Sequence, residues 1–412
     1  MSTKIISVIV LAVAAAVVSI VPAATASDAA EPAVQTEAVV QGNNAFALGL
    51  YAKLRTENKG SLFCSPYSVS TALAMAYAGA KGKTAAEMAD VLHFTVPQEE
   101  LPRAFAALAA RLHGDVKKVG YQLSVANRLW GQTGYHFLPA FLQVTRDDFA
   151  AELAQLDFEQ NADAARRTIN AWVEEKTERK IKDLIAPGVL GPATTLVLTN
   201  AIYFKGDWQM KFEVRATRDA PFSLAPQEKV TVPMMQQQAM FAYGAADDLR
   251  ILELPYVGRN LSMFVLLPTE LDGLAGIEQK LSVETLKTWT SGLTMQTVEV
   301  FLPKFRISSG FRLDKTLETM GISQAFSRSA DFSGMTGKRD IFFSAVIHKA
   351  FVDVKERGTE AAAATGIMMA RAAPRPQQPI PVFRADHPFL FLIRDNRTGS
   401  ILFLGRIVNP KG

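Results

Sequence analysis

The run TLVLTNAIYFKGDW, residues 195–208, constrains this chain more than any other stretch. It is nearly continuous in apolar and β-branched residues and lacks the polar alternation of a sheet with one wet face. It therefore reads as a strand buried on both sides. Asn200 interrupts it, and a buried amide left without partners costs about 1–3 kcal/mol. Whatever fold encloses this strand must bring polar groups to that one position.

Further strand-like runs lie at 250–254, 262–267, 297–302, 345–354, 389–393 and 401–407, with a helix-like piece at 313–320. The first half is richer in helical patterns. Phe46, Leu48, Leu50, Tyr51 and Leu54 recur at near-helical spacing, and residues 67–79 are small or apolar all round, as in a buried helix. Tyr121, Leu123, Val125, Asn127 and Leu129 alternate with polar or small residues, which predicts a strand with Asn127 intruding on its apolar face. Residues 164–184 read as an amphipathic segment with Ile169, Trp172, Val173, Ile181 and Leu184 on one side. The class is α+β. No linker or internal repeat divides the 412 residues, so a single domain is expected although the usual range is about 100–200 residues.

Composition narrows the function more than it specifies it. Hydrophobic residues make up 49% and charged residues 20%, and a net charge of +4 is too small to argue for nucleic acid as a partner. The single cysteine, Cys64, excludes an intrachain disulfide and a cysteine-rich metal site, and its apolar surroundings suit a buried small hydrophobe. No metal or cofactor is expected. The chain has no G-x-S-x-G, H-E-x-x-H, phosphate-loop or C-x-x-C motif, so it is not read as an enzyme. His348 stands alone in a strand pattern and reads as a hydrogen-bonded core residue.

Residues 1–26 have the form of a secretory signal: Lys4, a long apolar run, and Ala24-Thr25-Ala26 before Ser27. A retained anchor is the competing reading, because that run approaches the length of a spanning helix. Cleavage would leave 27–42 as a flexible mature N-terminus, a secreted or periplasmic protein and no stable membrane association.

Residues 356–376, ERGTEAAAATGIMMARAAPRP, resist local assignment. Alanine favours helix, yet Gly358 opens the stretch and prolines close it. In extended form Thr359, Ala361, Ala363, Thr365, Ile367 and Met369 share one uncharged face that could enter a packed sheet. An exposed alanine-rich loop fits the composition equally well.

Beyond periodicity, several strings resemble the serpins, the serine protease inhibitor family, from about Asn43 to Pro410. They are FCSPYSVSTALAMAYAGAKGKTAAEM, LTNAIYFKGDWQMKF followed by Thr217, ELPY, FLPKF, MGISQAFSRSADFSGMTG, HKAFVDVKERGTEAAAAT and HPFLFLIRDNRTGSILFLGRIVNP. The resemblance implies one domain over 43–412 with three β-sheets, eight to nine helices and an exposed reactive loop, 356–382. It implies a suicide-substrate inhibitor, bait on a spring: a serine protease cleaves the loop, an acyl-enzyme forms, and the loop inserts into the main sheet before the ester hydrolyses. Serpins are themselves the standard example of this loop insertion. The partner would be an elastase-like or trypsin-like serine protease held covalently by a monomeric inhibitor.

On the same resemblance the hinge is Glu356, Gly358, Thr359, Glu360, Ala361, Ala362, Ala363, Ala364 and Thr365. Ser65, Ser68, Asn200 and His348 match a polar cluster where the main sheet opens. Trp208 and Lys304 match the place where the loop first goes in, with a Lys304–Glu356 ion pair. Family spacing puts the reactive bond at Ala372–Ala373, with Arg371–Ala372 as the alternative for a trypsin-like enzyme; Met368 and Met369 would suit other pockets. After the bond the chain departs from antitrypsin-like members, with about five extra residues and a proline-rich character that holds such segments extended. Arg103, Arg111, Lys117 and Lys118 lie where some relatives bind polyanions, but here read as a solvated surface. Two other functions fit the family: a non-inhibitory binding or carrier protein, and an inhibitor of cysteine proteases.

Overall fold

The computed structural model describes residues 26–113, 120–246, 248–359 and 379–412, the side chains of 26–34 and of 113 excepted. Glu360 to Thr365, Met368, Met369, Arg371, Ala372 and Ala373 lie outside the described residues, as do Lys117, Lys118 and residues 1–25.

The doubly buried run forms β4 (Leu196–Asp207) inside a six-stranded sheet. The others, numbered along the chain, are β2 (Tyr121–Gln132), β3 (Ala154–Leu156), β10 (Phe305–Arg312), β11 (Phe343–Lys355) and β12 (Gly358–Thr359). Their order across the sheet is β10-β11-β12-β4-β2-β3, and β11 also pairs directly with β4. One face carries Leu129, Leu198, Ile202, Phe204 and Val352 into the main core, against the helices Ala26–Glu57 and Pro66–Tyr77 and a second sheet. The other carries Trp130, Val197, Ala201, Tyr203 and Ile347 against Phe158, Ile169 and Val173 of the helix Phe158–Lys176. Cover on both faces is why the sequence of β4 shows no polar alternation.

The remaining strands are β1 (Leu62–Cys64), β5 (Arg218–Ala225), β6 (Glu228–Ala246), β7 (Leu249–Pro255), β8 (Leu261–Pro268), β9 (Thr294–Pro303), β13 (Val382–Arg384), β14 (Phe389–Asp395) and β15 (Ile401–Ile407). The 19-residue β6 belongs to two layers. Its first part pairs with β5 and β9, and its last residues pair with β7, so hydrogen bonds join the second and third sheets into one path. Ten α-helical segments lie among the described residues, the last a single turn, Ser333–Thr336. No helix among the described residues is long and apolar enough to cross a membrane.

One expectation is corrected. Residues 27–42 are helical and not a flexible tail: they form the front of the helix Ala26–Glu57. Thr36, Val39, Val40, Asn43, Phe46, Ala47, Leu50, Tyr51 and Leu54 recur every three or four residues and are all buried, so the apolar stripe starts earlier than Phe46 and ties the segment down. The amphipathic segment 164–184 is helical in its first part only. The helix stops at Lys176, Thr177 Oγ1 donates to Val173 O at 2.7 Å, and Glu178 and Arg179 have φ of 51° and 59°. Ile181 and Leu184 still reach the same core, from an irregular segment.

Candidate functional site

Ser65 caps the helix Pro66–Tyr77: its hydroxyl accepts from the Ser68 N–H at 3.3 Å and donates to Leu402 O at 2.7 Å. Pro66 at the first helical position suits that start. The helix N-terminus lies over a polar rung of three strands, because Asn127 of β2 and His348 of β11 both pair in register with Asn200 of β4. The Ser65 N–H donates to His348 Nε2 at 3.0 Å, so Nε2 is the acceptor and the neutral ring carries its proton on Nδ1, facing Asn200 Oδ1. Asn200 Nδ2 donates to Ser68 Oγ at 2.5 Å and to Asn127 Oδ1. Ser68 Oγ reaches Asn127 Oδ1 at 3.3 Å, and Asn127 Nδ2 returns a bond to Ser68 O. Burial lowers the His348 pKa to about 3, so the ring stays neutral in this closed network.

Further along, the sheet divides. β11 runs parallel to β4 from Phe343↔Leu196 as far as Phe351↔Tyr203, and then the strands part to admit β12. Gly358 stands opposite Lys355 and Asp207, Thr359 opposite Val354 and Gly206, antiparallel to both neighbours. Gly358 has φ of 148°, and a Cβ there would lie 2.1 Å from Gly206 O, so backbone meets backbone with no room for a side chain. Thr359 is 0% exposed, and its hydroxyl is 2.9 Å from the Tyr256 hydroxyl. Tyr256 stacks on Trp208 with ring centroids 4.6 Å apart and meets Phe204 edge-on at 4.9 Å.

The residues leading into β12 are fastened from both sides. Trp208 Nε1 donates to Lys355 O at 3.0 Å, the Trp208 N–H to Arg357 O at 2.8 Å, and the Phe212 N–H to Glu356 O at 2.8 Å. Glu356 Oε1 accepts from Lys304 Nζ at 3.0 Å and Thr217 Oγ1 at 2.8 Å. Burial works to raise the Glu356 pKa, but its own backbone N–H, Lys304 and Thr217 outweigh that and hold the carboxyl below its usual range.

The tertiary structure thus gathers Ser65, Ser68, Asn200 and His348 into one network, and Trp208, Lys304, Glu356, Gly358 and Thr359 into another. Sequence reasoning missed Asn127 as the fifth member of the first and Tyr256 as a wall of the second. Asn127 had signalled itself as a polar residue on an apolar strand face, and Tyr256 closes the ELPY string. Cys64 is buried, its thiol donates weakly to Leu404 O at 3.5 Å, and burial pushes its pKa up to about 12. No group of three or more His, Cys, Asp or Glu among the described residues could hold a metal ion.

The two central strands of the sheet are thus closed along most of their length and held apart at one end by the two residues of β12. The model of the family Serpin (serine protease inhibitor) matches residues 41–410. The leukocyte elastase inhibitor of Bos taurus is 46% identical over 385 residues, 91% of this chain and 100% of that protein. Serpin48 of the insect Tenebrio molitor superposes with a TM-score of 0.82 at 33% identity, over 90% of this chain and 98% of its own. Human thyroxine-binding globulin, solved in complex with thyroxine, gives 0.84 at 32% identity, over 92% and 100%. This chain belongs to the serpin family, and it is a serine protease inhibitor. The expected single-domain serpin fold is borne out.

Proposed function

We propose that the chain traps an elastase-like serine protease by continuing β12 through the main sheet after cleavage at Ala372–Ala373. The observation that carries this is the register of Gly358 and Thr359 between β11 and β4. Prolonged at that register, residue 365 would come opposite both Asn200 and His348, which are already paired with each other. The inserting strand must therefore part the Asn200–His348 bond and offer the Thr365 hydroxyl in its place. Thr359, Ala361, Ala363 and Thr365 would all turn toward the main core, and none carries a charge to desolvate. Glu360 would face the other side of the sheet.

An elastase-like target accords with the small residues at 372 and 373 and with the name of the bovine relative, leukocyte elastase inhibitor. Residues 1–26 are proposed as a cleaved secretory signal that delivers a monomeric inhibitor outside the cytoplasm. Its support is compositional, together with a family match that starts only at residue 41.

The test is incubation with an elastase and, separately, with a trypsin, followed by denaturing gels and mass spectrometry of the released C-terminal fragment. A complex stable in SDS and a fragment beginning at Ala373 are expected. A fragment beginning at Ala372 would assign the bond to Arg371 and a trypsin-like target. Cleavage without any complex would instead support a binding or carrier protein.

A further inference from the structure

The parallel pair of β4 and β11 is fastened at its foot, the end far from β12, by side chains in place of the ladder. The register shifts between Phe343 and Ala345, so Ser344 is an extra residue with none opposite it on β4. Such bulges break the ladder locally and are rare in parallel pairs. Side chains take over here. The Thr195 N–H donates to Ser344 Oγ at 3.0 Å, Thr195 Oγ1 donates to Phe342 O at 2.7 Å, and the Phe342 N–H donates back to Thr195 Oγ1 at 3.2 Å. Thr195 O meanwhile accepts from the Gln132 N–H of β2 at 2.9 Å. The carbonyl of Thr195 thus belongs to the β2 side of the sheet, while its N–H and hydroxyl belong to the β11 side.

A strand entering between β4 and β11 exchanges their ladder bonds for new ones along both of its own edges. Val197, Leu198, Val346 and Ile347, between the foot and the Asn200–His348 rung, keep apolar cover on their faces of the sheet. Those contributions are returned on insertion. The clasp is not, because each of its three bonds joins a side chain to the main chain of the opposite strand and ends when the two strands part. Space for that parting exists. A cavity of about 920 Å³ lies beside the clasp, lined among others by Leu190, Ala193, Thr194, Arg312, Phe342 and Ser344. In the segment that leads into β4, a Cβ at Gly188 or Gly191 would meet nothing within 4 Å.

We infer that Thr195 and Ser344 are positioning residues for inhibition, and that their clasp is a second lock on the sheet which limits how fast a full-length strand can enter. This goes beyond the inhibitory reading above and rests on it. Neither residue touches the protease; both act through the separation of β4 from β11. The pair is already open beyond Tyr203 and Phe351, so it parts from the β12 end and the clasp is the last contact to go. Removing the clasp raises the closed sheet in free energy and leaves the parted one unchanged, so strand entry becomes faster.

The test uses the full chain and the variants Thr195→Val, Thr195→Ser and Ser344→Ala. The probe is a synthetic peptide AAAATGIMMA, the sequence of residues 361–370, which competes for the place between β4 and β11. Its uptake is followed as the rate at which incubation with it abolishes the SDS-stable complex with elastase, and urea denaturation gives the stability of each variant. Thr195→Val keeps the side-chain shape but loses both bonds to Phe342, and uptake is expected to quicken about tenfold. Thr195→Ser, which keeps the hydroxyl, is expected to take up peptide at the wild-type rate. Ser344→Ala breaks the third bond from the other strand, and about threefold faster uptake is expected. A purely structural role would lower the stability of Thr195→Val and leave uptake unchanged, and that result overturns the proposal. So does a Thr195→Ser variant as fast as Thr195→Val. A wild type that neither takes up peptide nor forms an SDS-stable complex would instead defeat the inhibitory reading, and the clasp with it.

Discussion

Replacing Gly358 with alanine tests the strand seat directly. The new Cβ would lie 2.1 Å from Gly206 O and 2.7 Å from Asp207 Cα, both main-chain atoms, and φ is 148° at this position. Either β4 shifts or the two-residue strand leaves the gap. Holding a side chain in such a glycine region costs about 1–3 kcal/mol. If the strand leaves, the hydrogen bond between Thr359 and Tyr256 goes with it, at about 1 kcal/mol. The combined penalty is about 3 kcal/mol. It bears on the first step of insertion, because residues 358 and 359 head the strand that must follow. If half of it reaches the transition state, insertion slows about tenfold, and if all of it does, about 150-fold.

The assay is partitioning. Increasing inhibitor is titrated against a fixed amount of elastase, and gels separate SDS-stable complex from cleaved inhibitor. The ratio of cleaved to complexed inhibitor should rise at least about tenfold in the variant, while the loop remains cleavable. An unchanged ratio together with unchanged thermal stability would refute the reasoning, because the gap would then have absorbed a methyl group that the geometry excludes.

The other predictions concern the two polar networks. The native pKa of His348, about 3, lies below the ordinary imidazole value of about 6.5, so the native state binds fewer protons than the unfolded chain. This contribution is complete above about pH 6.5 and is lost progressively as pH falls toward 3, with about 2 kcal/mol gone by pH 5. Urea denaturation at pH 7 and pH 5 should show that loss in the wild type and not in His348→Gln; equal losses in both would assign the acid sensitivity elsewhere. Tyr256→Phe keeps the ring against Trp208 and Phe204 but removes the partner of Thr359, and should lower stability by about 1 kcal/mol in urea denaturation. A neutral result would mean the Thr359 hydroxyl finds another partner.

Much of the framework was legible because it is written in local periodicity. The doubly buried β4, the buried helix over 67–79 and the strand over 345–354 follow from which side chains recur on which face. Even the inward-facing Thr359 fits the alternation of an extended backbone. The misreading has an equally local cause. An apolar stripe with alanine and polar residues between its members hid the front of the helix Ala26–Glu57.

What the sequence determined by itself, then, is a polar need at Asn200 and an uncharged segment after Glu356 able to lie in a sheet. Only the tertiary structure decided who meets them. Asn127, Asn200 and His348 form one rung because β2, β4 and β11 pair at a particular register across long stretches of intervening chain, which no local pattern encodes. Tyr256 closes over Thr359 because the residue that follows β7 bridges to Trp208, just past the end of β4. The opening itself, where β11 leaves β4 beyond Tyr203 and Gly358 lies against Gly206, is a property of two strands and their neighbours together, since a gap has no residues of its own.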